Sequence, residues 1–117
     1  MEGKIKVCFM RNGMHVISKM ITEFDKDKRP LCFSMTLPFS MIYVEDPETG
    51  KSKVDFEAMM PFCNNIEYKI PFGEVITIGD PHQVLLENYV SMIKPYYPID
   101  GGAEPNEIEN QGESNNE

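Results

Sequence analysis

KIKVCFMRNGMHVISKMITEF, residues 4–24, reads as two strands joined across Asn12-Gly13. An Asn-Gly pair between apolar runs signals a hairpin, because both residues tolerate the positive φ that a type I′ turn demands. Before the turn, Ile5, Val7 and Phe9 share one face and Lys4, Lys6, Cys8 and Met10 the other, giving this strand one clearly apolar side. After it, Val16, Ser18, Met20 and Phe24 fall on one face and Ile17 and Ile21 on the other. The second strand is therefore apolar on both sides, which predicts a long strand that bends and buries different faces along its length.

Working outward, Asp25-Lys26-Asp27-Lys28-Arg29-Pro30 is a charged loop, and Leu31–Leu37 alternates as a third strand. Pro38 removes a ladder donor, so the chain must bulge or run along an edge before continuing through Phe39–Val44. Glu45–Ser52 is turn chemistry leading into a fourth strand, Lys53–Met60. After Pro61, an Asn64-Asn65 turn precedes a short alternating run of Ile66, Tyr68 and Ile70. Phe72-Gly73 then opens a last strand at Glu74–Ile78, the β-branched run EVITI. Asp80-Pro81-His82-Gln83 starts a helix in which Asp80 caps, Pro81 takes the first position and Gln83 completes a capping box. Leu85, Tyr89, Met92 and Ile93 recur at helical spacing until Lys94-Pro95. This predicts a mainly β domain over residues 1–79, an amphipathic C-terminal helix over 80–94 packed on the sheet or on a neighbouring subunit, and an acidic disordered tail over 95–117. There is no internal repeat.

A chain of 117 residues makes one domain. Its net charge of −8 is unevenly spread. Residues 1–99 hold thirteen acids against eleven bases, whereas Asp100, Glu104, Glu107, Glu109, Glu113 and Glu117 have no base among them. The nearly neutral folded part leaves a polyanionic partner open. The tail reads either as a solubilising segment or as one that competes with nucleic acid for basic loops or recruits a partner. Cys8, Cys32 and Cys63 are odd in number and widely spaced, without a Cys-x-x-Cys pair, and read as buried or half-buried thiols in a reducing compartment rather than a disulfide framework or zinc site. No signal peptide is visible and no apolar run approaches the ~18 residues of a membrane span. The expectation is a cytoplasmic protein without a membrane partner.

Enzyme signatures are absent: there is no Gly-rich phosphate loop, no Gly-x-Ser-x-Gly and no His-x-x-x-His. His15 and His82 stand alone, and Asp25 and Asp27 share their loop with three bases, which reads as an ion-pair loop rather than a metal site. No catalytic residue, metal ligand or cofactor is expected, and binding is the chemistry that remains.

Five strands in sequence, a bent second strand after an Asn-Gly turn and a short last strand introduced by Gly73 resemble the Sm-like barrel. The run from Lys4 to Ile78, with KIPFGEVITI near its end and a Pro-started helix after it, resembles Sm-like proteins encoded by marine bacteriophages. Gly13, Val16, Ser18 and Met20 are similar to the first Sm motif, Gly-x-x-h-x-Gly-x-Leu, with Ser18 at the second Gly. Asp25 is similar to that motif's Asp, one residue out of register, and the aromatic and Asn that follow it have no counterpart in Lys26–Pro30. Gly73 and Ile76 are similar to the second motif, Arg-Gly-x-x-h, with Phe72 at the Arg position. The helix also departs from the family, following the barrel instead of preceding it.

The resemblance implies a five-stranded, bent Sm-like barrel. It also implies a homo-oligomeric ring in which the fourth strand, Lys53–Met60, pairs edge to edge with a neighbour's last strand, Glu74–Ile78, and pore-facing loops hold single-stranded RNA or DNA. The phage likeness implies the cytoplasm of an infected bacterial host and a part in nucleic-acid processing. Lys26, Lys28 and Arg29 are the candidate phosphate contacts, and Asn64, Asn65 and Phe72 the candidate amide and stacking contacts. The same charged loop reads equally as a solvated turn, and Phe72, beside a Pro and a Gly, is more often a core plug than a base platform. Two alternatives stay open: a structural or adaptor component of a phage assembly without nucleic-acid binding, and an OB-type single-strand-binding protein. The latter predicts a helix between the third and fourth strands.

Overall fold

The computed structural model describes residues 3–96. Strands β1 (Lys4–Met10) and β2 (His15–Phe24) form the expected hairpin, with Lys4 opposite Met20 and Cys8 opposite Val16. Its turn is not type I′. Gly13 has φ 93° while Asn12 stays out of the positive-φ region. The Gly13 N–H donates to the Met10 carbonyl at 2.9 Å and the Met10 N–H to that of Met14 at 2.8 Å, the pattern of a three-residue loop closed by a Gly bulge. Asn12 favours this form because its Oδ1 accepts the Met14 N–H at 2.9 Å, a local bond that needs no left-handed Asn.

Strand β3 (Pro30–Glu45) is the spine. It pairs with β2 along most of its length, with β4 (Ser52–Ala58) through Phe39–Glu45 and with β5 (Glu67–Ile70) through Phe33–Thr36. Strand β6 (Val75–Gly79) pairs with β1, giving one six-stranded antiparallel sheet in the order β4-β3-β2-β1-β6 with β5 beside β3. The sheet is not closed, and it has six strands where five were expected. The additional strand is the alternating run around Tyr68. It finds a free edge on the first half of β3 because β4 leaves at Pro38, whose carbonyl accepts the Met59 N–H at 3.1 Å. Strands β3 and β4 are joined by a turn without a helix, closed by the Asp46 N–H donating to the Lys51 carbonyl at 2.8 Å.

The expected bend falls where β2 and β3 cross from one neighbour to the next. Register shifts between Ile17 and Lys19, and the intervening Ser18 is fully buried. Its hydroxyl donates to the Lys19 and Thr36 carbonyls at 2.9 and 3.0 Å. Leu37 has φ 53°, so Pro38 interrupts the ladder as a kink inside a continuous strand rather than as a break.

Burial divides between two cores. Cys8, Met10, Val16, Met20 and Met35 form one, flanked by Phe33, Ile70 and Val75. Ile17, Leu37, Tyr89 and Ile93 form the other, flanked by Ile5, Val7, Phe39 and Phe56. Adjacent Val16 and Ile17 are both at 0% exposure, so β2 is apolar on both sides as its sequence predicts. The expected apolar side of β1 packs against the second core through Ile5 and Val7, and its other side, which begins with two lysines, buries Cys8 and Met10 more deeply still. That side is charged where it faces Asp80 and apolar where the first core lies over it.

Helix α1 (Gln83–Ile93) starts later than its sequence suggests. His82 is the N-cap and makes no side-chain capping bond. Asp80, the expected cap, is held instead by Lys6 Nζ at 2.5 Å, an interaction that lowers its pKa. A 3₁₀ turn at Lys94–Tyr96 carries the chain past the expected stop. From residue 97 the acidic tail lies outside the described residues. No described helix is long and apolar enough to cross a membrane, a statement about helices alone.

Candidate nucleic-acid interface

The turn between β2 and β3 carries the three candidate cations, and its geometry follows from one carboxylate. Asp25 Oδ1 accepts the Asp27 and Arg29 N–H groups at 2.8 and 2.9 Å. The Asp25 N–H donates to the Arg29 carbonyl and the Lys28 N–H to that of Asp25, repeating the three-residue loop of the first hairpin. Here the left-handed position is Lys28, φ 66°, where Gly would be unstrained. The Arg29 guanidinium is tied down, Nε to Asp25 Oδ2 at 3.3 Å and Nη2 to Asp27 Oδ2 at 3.0 Å. Lys26 and Lys28 make no ion pair among the described residues and are exposed. Two fixed carboxylates, one fixed guanidinium and two unpaired ammonium groups leave the turn at about +1.

Residues 69–73 lie along the end of this hairpin. Lys69 Nζ meets Glu23 Oε2 at 2.6 Å, and that bond is the chief reason its pKa is raised. Phe72, in a 3₁₀ turn (Phe72–Glu74), meets Phe33 edge to face, ring centroids 4.7 Å apart and planes at 84°. Arg11, in the first hairpin turn, reaches across to this segment: its Nε donates to the Gly73 carbonyl at 3.0 Å and its N–H to the Glu74 carbonyl at 2.8 Å. The Lys69–Glu23 pair and the Phe72–Phe33 contact attach this segment to the hairpin that carries Lys26, Lys28 and Arg29, and Arg11 holds it at Gly73 and Glu74. Residue 11 lies 62 positions from the carbonyl it holds, and nothing local in the sequence marks that contact.

Asn64 and Asn65 are placed elsewhere. Their exposed loop is anchored at the bend of β3, where the Leu37 N–H donates to the Ile66 carbonyl at 2.6 Å and Tyr68 Oη to the Asn65 carbonyl at 2.8 Å. Seven strand rises separate Leu37 from Pro30, roughly 20–25 Å of β3. The two amides and the charged turn therefore do not form one cluster. Phe62, 98% exposed, belongs to the amide loop.

Among the described residues no cluster of three or more His, Cys, Asp or Glu side chains can hold a metal ion. Cys8 is fully buried, which pushes its thiol up to about 11, and Cys63 is exposed. No protein-family model matches the chain, and neither does any curated protein.

Proposed function

We propose that this chain is a non-catalytic, Sm-like subunit that assembles through its two sheet edges into a homo-oligomeric ring and binds single-stranded RNA or DNA, in keeping with a role in phage nucleic-acid processing. The observation that carries the reading is the strand order. It leaves β4 and β6 as the ends of one antiparallel sheet, and β6 presents Ile76 and Ile78 at 58% and 41% exposure. An edge strand with exposed apolar side chains is a template for another strand, and two different edges pairing head to tail generate a ring when the rotation closes. Support for the ligand comes from the turn Asp25–Arg29 and the Phe72-Gly73 turn, which the Phe72–Phe33 ring contact and the Lys69–Glu23 pair tie to the same β2–β3 hairpin. These are the two segments that resemble the Sm motifs, and Arg11 supplies from the first hairpin a guanidinium on Gly73 where the second motif has its own Arg.

A second reading, a structural or adaptor component of a phage assembly, is favoured by one observation: Arg29 is already bound by two carboxylates, so the turn offers little net charge. The OB-type alternative loses its support, since β3 and β4 are joined by a turn.

Light scattering after size exclusion, paired with fluorescence anisotropy of labelled U-rich RNA, A-rich RNA and single-stranded DNA at two salt concentrations, tests both. A ring gives a multiple of 13.4 kDa that Ile76→Lys reduces to the monomer, and nucleic-acid binding weakens with salt and with Lys28→Glu plus Arg29→Glu. A monomeric wild type overturns the ring. A ring that binds no oligonucleotide at low salt leaves the structural reading.

A further inference from the structure

Phe24 is 56% exposed at the last position of β2, opposite Pro30, and the next residue is Asp25, the carboxylate that shapes the cationic turn. Phe24 stands two residues beyond Thr22, which pairs with Phe33, and past a register shift between Glu23 and Phe24. Phe33 and Phe72 are locked edge to face on one another. A base can stack only on a ring whose face is open, and the half-buried Phe72 spends its contacts on Phe33. Leu31, 57% exposed beside Pro30, extends the apolar surface next to Phe24. Two residues along the chain from Phe24 stands Lys26, and four along stands Lys28, both without an ion pair among the described residues. The turn carrying them is held by three hydrogen bonds to Asp25, so the backbone from which both lysines extend is fixed next to Phe24 in the chain.

We propose that Phe24, rather than Phe72, is the platform on which this protein stacks a base of a single-stranded nucleic acid, with Lys26 and Lys28 contacting the phosphates on either side. The inference rests on the nucleic-acid reading above and names its base-contacting residue. A ring beside two free cations suits a nucleotide chain because each repeat offers a π-face and a negative charge a few ångströms apart.

The chain contains no Trp, so Phe24→Trp introduces a single indole at the site. Titration with unlabelled single-stranded RNA and DNA should quench its emission, whereas inorganic polyphosphate, which offers charge without bases, should leave it unchanged. Phe24→Ala should weaken oligonucleotide binding roughly 10- to 100-fold, the range for loss of one stacked base, with the salt slope unchanged. Phe24→Leu, which keeps the apolar bulk, should show the same loss with a wild-type melting temperature, and Phe72→Leu should retain affinity. Oligonucleotide binding without quenching, or Phe24→Ala binding within twofold of wild type, overturns the assignment to Phe24 and leaves the nucleic-acid reading standing. Wild-type protein that binds no oligonucleotide overturns both.

Discussion

Ser18 and Tyr89 direct their hydroxyls at the same acceptor, the carbonyl of Thr36, at 3.0 and 3.2 Å, and Tyr89 shares its one hydroxyl proton with the nearer Leu37 carbonyl at 2.7 Å. One hydroxyl comes from the bulge in β2, the other from α1, and they meet where β3 bends. Each single deletion, Ser18→Ala or Tyr89→Phe, leaves Thr36 with the other donor and should cost about 1–2 kcal/mol. The double mutant leaves that carbonyl without either hydroxyl. Its loss, measured by urea denaturation, should exceed the sum of the two by about 1 kcal/mol; additivity would show that the two bonds do not share an acceptor in solution.

Leu37 sits beside that site at φ 53° and 5% exposure, so its side chain stabilises the second core while its backbone is strained. Leu37→Ala should cost about 2–5 kcal/mol through the cavity, keeping the strain. Leu37→Gly removes one more carbon and adds chain entropy but relieves a left-handed penalty of about 1–2 kcal/mol. The usual ranking should therefore vanish, with Gly no less stable than Ala in the same denaturation series.

Lys28, at φ 66°, offers the opposite balance because its side chain is exposed. Relief of about 1–2 kcal/mol outweighs the entropic cost of Gly, about 0.5–1 kcal/mol, so Lys28→Gly should raise stability by roughly 0.5–1 kcal/mol. Under the proposed function it should at the same time weaken oligonucleotide binding and lower the salt slope by about 1. A variant that is stabilised with unchanged affinity would remove Lys28 from the interface.

Stability should fall on the alkaline side. Cys8 and Tyr89 are neutral when protonated, and burial raises the pKa of both, so the folded chain holds these protons more tightly than the unfolded one. Their contribution is complete below the unfolded pKa values and is lost as pH rises, from 9.0 to about 11 for Cys8 and from 10.0 upward for Tyr89. For Cys8 the span corresponds to about 2–3 kcal/mol. Urea midpoints against pH should flatten between 9 and 11 in Cys8→Ala. Thiol labelling at neutral pH should modify Cys63 first and Cys8 only on unfolding.

How far the fold could be read from residues depended on the range of the interaction. Asn12-Gly13 marked a hairpin because the signal is local, although the Asn12 side chain chose a different turn from the one the dipeptide favours. Val16 and Ile17 disclosed a two-sided strand, while β1 disclosed only one of its two buried sides, because its lysines and its buried sulfur residues share the other. Asp80 looked like a cap until Lys6, 74 positions away, engaged it. The charged turn at Lys26–Arg29 was legible as a loop. The contribution of Arg11 was not, and the partnering of Phe72 with Phe33 rather than solvent was decided by the curl of the sheet.

Helix α1 has a bearing on how the chain is made. The four-strand meander β1–β4 is built from neighbouring hairpins and can form as soon as about sixty residues have been synthesised. The covering of its second core arrives only with Tyr89 and Ile93. Until then Ile17, Leu37 and the apolar residues around them have no lid, and β1 has no outer partner, since β6 is also late. A nascent chain paused between these stages would display both a sticky face and an open strand edge. Synthesis of the last thirty or so described residues is therefore the interval in which a chaperone would matter most.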